Sequence, residues 1–268
     1  MIPLRDNIPS RTTPYVNYVM VAICCLVFLV QSSDPDGRMT LMFGMIPLRI
    51  SQPDKPVVIE HHEVVETPYG MLEETARTEI PASSFPAALT GLTCIFLHGS
   101  LMHLLGNMWF LLIFGDNVED RLGHLGYAIF YLGCGLAASA AHYFTNQASP
   151  IPTIGASGAV AGVMGAYLWL YPHANVVSLV PIIFLLQTMI IPAPIFLGLW
   201  FVIQLLQGTF AVGSTEAAGV AWWAHVGGFA AGFLVAWILG QSGQTKPKVV
   251  VVRPGTDRGF RRMQTPWD

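Results

Sequence analysis

Charge is scarce in this chain. Of its 268 residues only 11% are Asp, Glu, Lys or Arg, while 53% are hydrophobic. A soluble domain carries about 25% charged residues, so this composition points away from a soluble fold and toward a polytopic membrane protein. The net charge is −3 and no basic stripe exists, which leaves no electrostatic footprint for nucleic acid. The four cysteines, Cys24, Cys25, Cys94 and Cys134, lie in apolar stretches without metal or disulfide spacing and read as small hydrophobes. The H-E-x-x-H pattern of a zinc protease is missing. His61 and His62 are adjacent, so on a strand they face opposite sides, and no metal site is expected there. After the first apolar run stands Gln31-Ser32-Ser33-Asp34 rather than a small-residue cleavage site, so that run reads as an uncleaved span.

A membrane-crossing helix needs about 20 mostly apolar residues. Six regions qualify: about 14–32, 91–115, 124–146, 154–172, 190–210 and 219–240. The stretch 176–189 is also apolar, but Pro181, Pro192 and Pro194 interrupt it, and proline breaks or kinks helices. It is expected to be a loop or re-entrant segment, with a seventh span as the competing reading. Arg5 and Arg11 in the N-terminal tail, and Lys246, Lys248, Arg253, Arg258, Arg261 and Arg262 in the C-terminal tail, place both tails on the cytoplasmic side. Tails on one side require an even number of spans. The loop 33–86 holds nine acids against four basic residues and belongs outside, where "PVVIEHHEVVE" and the residues after it could form a hairpin. The expected organisation is a six-helix membrane domain over 1–240, with 33–86 as an outer insertion, and a basic cytoplasmic tail over 241–268.

The polar residues inside these spans are few and costly, and such residues usually mark function. His103 and Asn107 are four apart on the second span, so they share a helix face. Ser157 opens the fourth span and His225 comes early in the sixth. Spans two, four and six run in the same direction, so all four side chains should lie on the order of 10 Å below the outer surface. Each alone has a plain structural reading: Ser157 as a helix cap, and His225 and Asn107 as polar glue between helices. Together they are the inventory of a serine hydrolase. Ser157 would be the nucleophile and His225 its general base, with His103, Asn107 and the Ser157 N–H as oxyanion donors. Gly158, Gly162 and Gly165 on span four, and Gly228 and Gly232 on span six, would let these two helices approach closely. His98, five residues from His103, is expected to point elsewhere, and Glu119, Asp120 and Arg121 to serve as structural anchors.

The motifs "GASG" at 155–158, "HLLGN" at 103–107, "AHVGG" at 224–228 and "GDNVE" at 115–119 resemble those of the rhomboid intramembrane serine proteases. The likeness covers about residues 90–240. It implies an all-α, six-transmembrane-helix rhomboid fold without metal or organic cofactor; the long polar outer loop between spans 1 and 2 is unusual for the family, and the expected location is a bacterial inner membrane. It also implies cleavage of single-span transmembrane protein substrates within or near the bilayer. Ser157 and His225 are carried over as the catalytic pair, His103 and Asn107 as oxyanion donors, and Gly155 as a residue on the substrate side of the nucleophile. The sequence departs from the family in two places. The first outer loop contains no tryptophan, where many members have a Trp-Arg pair. Ala161 occupies the position four after the serine, where some members stack an aromatic ring on the catalytic imidazole; Trp222 or Trp223 could substitute. A catalytically silent relative that binds transmembrane clients, or a transporter with a polar site, is the rival reading. Oligomeric state is not encoded in any of these features.

Overall fold

The computed structural model describes residues 1–67, 70–80, 85–182, 185–211 and 221–241. Its chain order is strand β1 (Ile2–Asp6), helix α1 (Tyr15–Gln31), a hairpin of β2 (Val57–Thr67) and β3 (Gly70–Ile80), then helices α2 (Leu101–Leu122), α3 (His124–Thr145) and α4 (Ser157–Leu170). Strands β4 (Asn175–Ile182) and β5 (Leu185–Pro192) follow, and helices α5 (Ala193–Ala211) and α6 (Trp222–Gln241) close the described chain. Short helical turns occupy parts of 38–51 and 87–96.

The fold is mostly helical. Helices α2, α3, α5 and α6 are long and apolar enough to cross a membrane, while α1 and α4 are apolar but shorter. Large apolar side chains such as Leu26, Leu105, Ile129, Ile195 and Ile238 face outward around the bundle, the belt expected where lipid replaces water.

Helix α4 is the centre of the bundle. Eleven of its fourteen residues are buried, and its glycines let α6 lie directly on it. A Cβ added at Gly228 would strike the carbonyl oxygen of Gly158, one at Gly232 that of Gly162, and one at Gly165 that of Phe229. Only hydrogen fits at these positions, and backbone approach of this kind is what small-residue faces permit.

Two element boundaries differ from the sequence reading. The second span was expected to begin near 91, but α2 starts at Leu101, where the Ser100 hydroxyl accepts the His103 N–H at 3.1 Å. The cap fixes the start, and the apolar residues before it form short turns instead. Over the stretch 176–189, β4 and β5 pair antiparallel within a three-stranded sheet of order β1-β4-β5. Its β-branched and apolar residues suit strands, and Pro181 and Pro192 lie near strand ends, where a missing N–H is tolerated.

Polar contacts tie the N-terminus to the far ends of α2 and α4. The buried Glu119 carboxylate accepts the Val16 and Asn17 N–H groups at 3.0 and 2.7 Å, capping α1 from another helix, and meets His124 Nδ1 at 2.5 Å. Asp120 accepts from Arg11 and Thr12, both at 2.8 Å. The anchoring expected of Glu119 and Asp120 is therefore the joining of α1 to α2. At the other end of the bundle, Met45 and Thr153 exchange backbone hydrogen bonds of 3.0 and 2.8 Å, fastening the insertion to the segment that leads into α4.

Candidate active site

The segment entering α4 sets the geometry. Gly155 has φ +126°, a conformation that side-chain-bearing residues rarely adopt, and its N–H donates to the Cys94 carbonyl at 2.9 Å. A Cβ there would lie 2.7 Å from both Cε1 and Nε2 of His103, so the glycine also leaves room for that imidazole. Ala156 is the N-cap, and Ser157 is the first helical residue rather than the cap. Its hydroxyl is thus free of capping duty, and its backbone N–H lies in the first turn, where no intrahelical acceptor exists.

The Ser157 hydroxyl oxygen lies 2.8 Å from His225 Nε2, within hydrogen-bond distance. His225 comes from the first turn of α6 and is 9% exposed. Its other ring nitrogen, Nδ1, lies 2.7 Å from Gln204 Oε1 on α5. Two tryptophans flank the ring: Trp200 at 5.9 Å between centroids and tilted by 36°, and Trp222 edge-on at 6.1 Å. Trp222 is one of the two residues expected to stand in for the missing aromatic at Ala161; Trp200 was not foreseen.

His103 and Asn107 line the same cavity as Ser157 and His225, a space of about 660 Å³ that also includes Gly155 and Gln204. The Asn107 Nδ2 amide is buried and has no hydrogen-bond partner among the described residues. Buried donors are almost always satisfied, so an orphan in a cavity wall marks a place where an acceptor is expected to arrive. His98 is not among the residues lining this cavity, and it is buried in the loop before α2. It lies outside α2, so helical spacing does not govern it, and its ring packs against His103 with centroids 5.3 Å apart. Its backbone N–H donates to Gln31 Oε1 at 3.1 Å, which links it to the end of α1.

The family model for the Rhomboid domain matches residues 87–242, more than half of the chain. The chain belongs to the rhomboid family. With its apolar helices, the rhomboid domain makes it an integral membrane protein. Among curated relatives it is similar to RHOMBOID-like protein 5 of Arabidopsis thaliana, at 28% identity over 180 residues, covering 64% of this chain and 50% of that protein. It is similar to Rhomboid protease GluP of Bacillus subtilis (strain 168), at 34% identity over 149 residues, covering 56% of this chain and 25% of that protein. A third is Putative rhomboid protease YdcA of the same bacterium, at 32% over 84 residues, 31% of this chain and 42% of that protein. The chain spans half or less of the length of each of these relatives.

In this rhomboid, sequence reasoning missed Gln204 and Trp200. A signal for Gln204 was present, since it is a polar residue within the apolar run of α5, and such residues are costly in a membrane.

Proposed function

We propose that this rhomboid is an intramembrane serine endopeptidase that cleaves single-span transmembrane protein substrates within or near the bilayer. The observation that carries the reading is the 2.8 Å Ser157–His225 hydrogen bond in a cavity that also holds the orphaned Asn107 amide. His225 Nε2 takes the Ser157 proton as Oγ attacks the scissile carbonyl carbon. Negative charge then develops on the carbonyl oxygen. Asn107 Nδ2, His103 and the Ser157 N–H are the donors to it, and each such donor is worth about 10²–10³ in rate. Collapse of the intermediate breaks the C–N bond, and the proton on His225 passes to the leaving amine. Water, activated by the same imidazole, releases the acyl group and restores Ser157. Gly155, at the cavity wall beside the nucleophile, lies on the substrate side.

In this proposal all six apolar helices cross the bilayer, with the site near the outer face and both tails in the cytoplasm of a bacterium. The membrane domain covers 1–240, including the 33–86 insertion; the tail beyond 241 lies outside the described residues. The short α1 and α4 span together with the segments that precede them.

The test is reaction of purified, detergent-solubilised protein with a fluorophosphonate probe, alongside cleavage of a single-span reporter. Wild type labels and cleaves, Ser157→Ala does neither, and Asn107→Ala still labels but cleaves about 10²-fold more slowly. Wild type that neither labels nor cleaves, or Ser157→Ala that behaves like it in both assays, overturns the reading in favour of a silent client-binding relative.

A further inference from the structure

The general base has a partner that none of the sequence motifs supplies. Gln204, 7% exposed, reaches His225 Nδ1 with its amide oxygen at 2.7 Å, on the side of the ring opposite Ser157. We propose that Gln204 is a positioning residue that fixes the tautomer of His225, an inference that rests on the proteolytic reading of the site.

A neutral imidazole carries one N–H and one lone pair, and the hydrogen bond made by one nitrogen decides what the other can do. A carbonyl oxygen facing Nδ1 requires the proton there. Nε2 then presents its lone pair to the Ser157 hydroxyl, as a base must. In the other tautomer Nε2–H would face Oγ, and no base would be available. The same contact serves the next step. Once His225 has taken the serine proton, both ring nitrogens carry N–H, and a buried cationic donor without an acceptor is costly. The Gln204 oxygen receives the second N–H by its dipole alone, without a buried formal charge that would itself need a partner. Trp200, one turn earlier on α5, lies against the same ring and limits its rotation.

Gln204→Met keeps the length and apolar packing of the side chain and removes the acceptor; Gln204→Glu keeps an acceptor and can make the same bond. Three readouts are compared across wild type, both variants and Gln204→Ala: the kcat and KM of reporter cleavage, the thermal unfolding temperature, and the ¹⁵N shifts of His225 in ¹⁵N-histidine-labelled protein. Gln204→Met is expected to lower kcat by about 10² with KM changed less than about twofold, and to lose the Nδ1–H signature of wild type. Gln204→Glu is expected to recover most of kcat and the signature. If Met does not fold, Ala carries the same expectation. A kcat within about twofold of wild type in the acceptor-less variant, or equal impairment in Met and Glu, overturns the proposal. The nitrogen spectra also separate the two readings. An inactive wild type with a Gln204-dependent Nδ1–H defeats proteolysis and leaves the Gln204–His225 link standing. An active wild type whose tautomer ignores Gln204 defeats only the link.

Discussion

Replacing Gly228 with alanine adds a single methyl group where it does the most harm. The new Cβ would meet the Gly158 carbonyl oxygen, with the Gly158 carbonyl carbon at 2.9 Å and the Ala138 Cβ at 3.4 Å. The obstacle is backbone, so no rotamer change relieves it, and α6 must move off α4 by about 1 Å to reach ordinary contact. Gly228 is one turn from His225, and Gly158 follows Ser157 directly, so the displacement acts on the pair itself. A hydrogen bond of 2.8 Å lengthened by about that amount is no longer a hydrogen bond. Overpacking of this size costs about 1–3 kcal/mol of stability, and a misplacement of about 1 Å costs about 10² in rate. Thermal unfolding in detergent reads the first quantity and fluorophosphonate labelling of Ser157 reads the second. Gly198→Ala on α5 is the control, because nothing lies within 4 Å of a Cβ built there, and it should label like wild type. A Gly228→Ala protein that unfolds at the wild-type temperature and labels at the wild-type rate refutes the claim that backbone contact sets the serine–histidine distance.

Two further outcomes concern the opposite end of the bundle. Glu119→Ala leaves the Val16 and Asn17 N–H groups without an acceptor and should cost about 3 kcal/mol; an unchanged unfolding temperature would show that the α1 cap is not stabilising. Asp6 accepts from Tyr167 and from Asn117, and burial raises its carboxyl pKa from the ordinary 3.8 to about 6. Because the folded state holds this proton more tightly than the unfolded chain, the stabilisation is fully present below about pH 4 and is lost as pH rises to about 6. Unfolding temperatures of wild type and Asp6→Asn between pH 4 and 7 should therefore converge at the acid end. A constant difference across that range would remove Asp6 as the source.

Much of this arrangement was legible because it rests on local spacing. The i, i+4 pair of His103 and Asn107, the glycines at three- and four-residue intervals, and the depth of Ser157 and His225 in their spans all follow from helix periodicity. The start of α2 was not legible, because apolarity does not say where a helix begins and the Ser100 cap does. The sheet was hidden for another reason: β4 lies between β5 and β1, and β1 is more than 160 residues away in the chain, a pairing no local pattern reveals. His98 stays out of the cavity as its spacing implies, but its ring contact with His103 comes from the loop before α2 and not from helical periodicity. Gln204 needed the crossing of α5 and α6, a tertiary fact whose trace in the sequence is one of several polar residues in an apolar helix.

The three-stranded sheet gives the molecule a mechanical polarity. At the end far from Ser157, β1 is stitched to β4, Trp109 donates to the Pro3 carbonyl, and Asp6 gathers Tyr167 and Asn117, so the N-terminal strand laces α2, α4 and the α4–α5 connection into one floor. Helix α5 is thus pinned at the floor by the strand that runs into it, while its upper half carries Gln204 and ends at Ala211. Any displacement hinged at that junction grows along α5 from Ala193 toward Ala211, so Gln204 would move more than the sheet does.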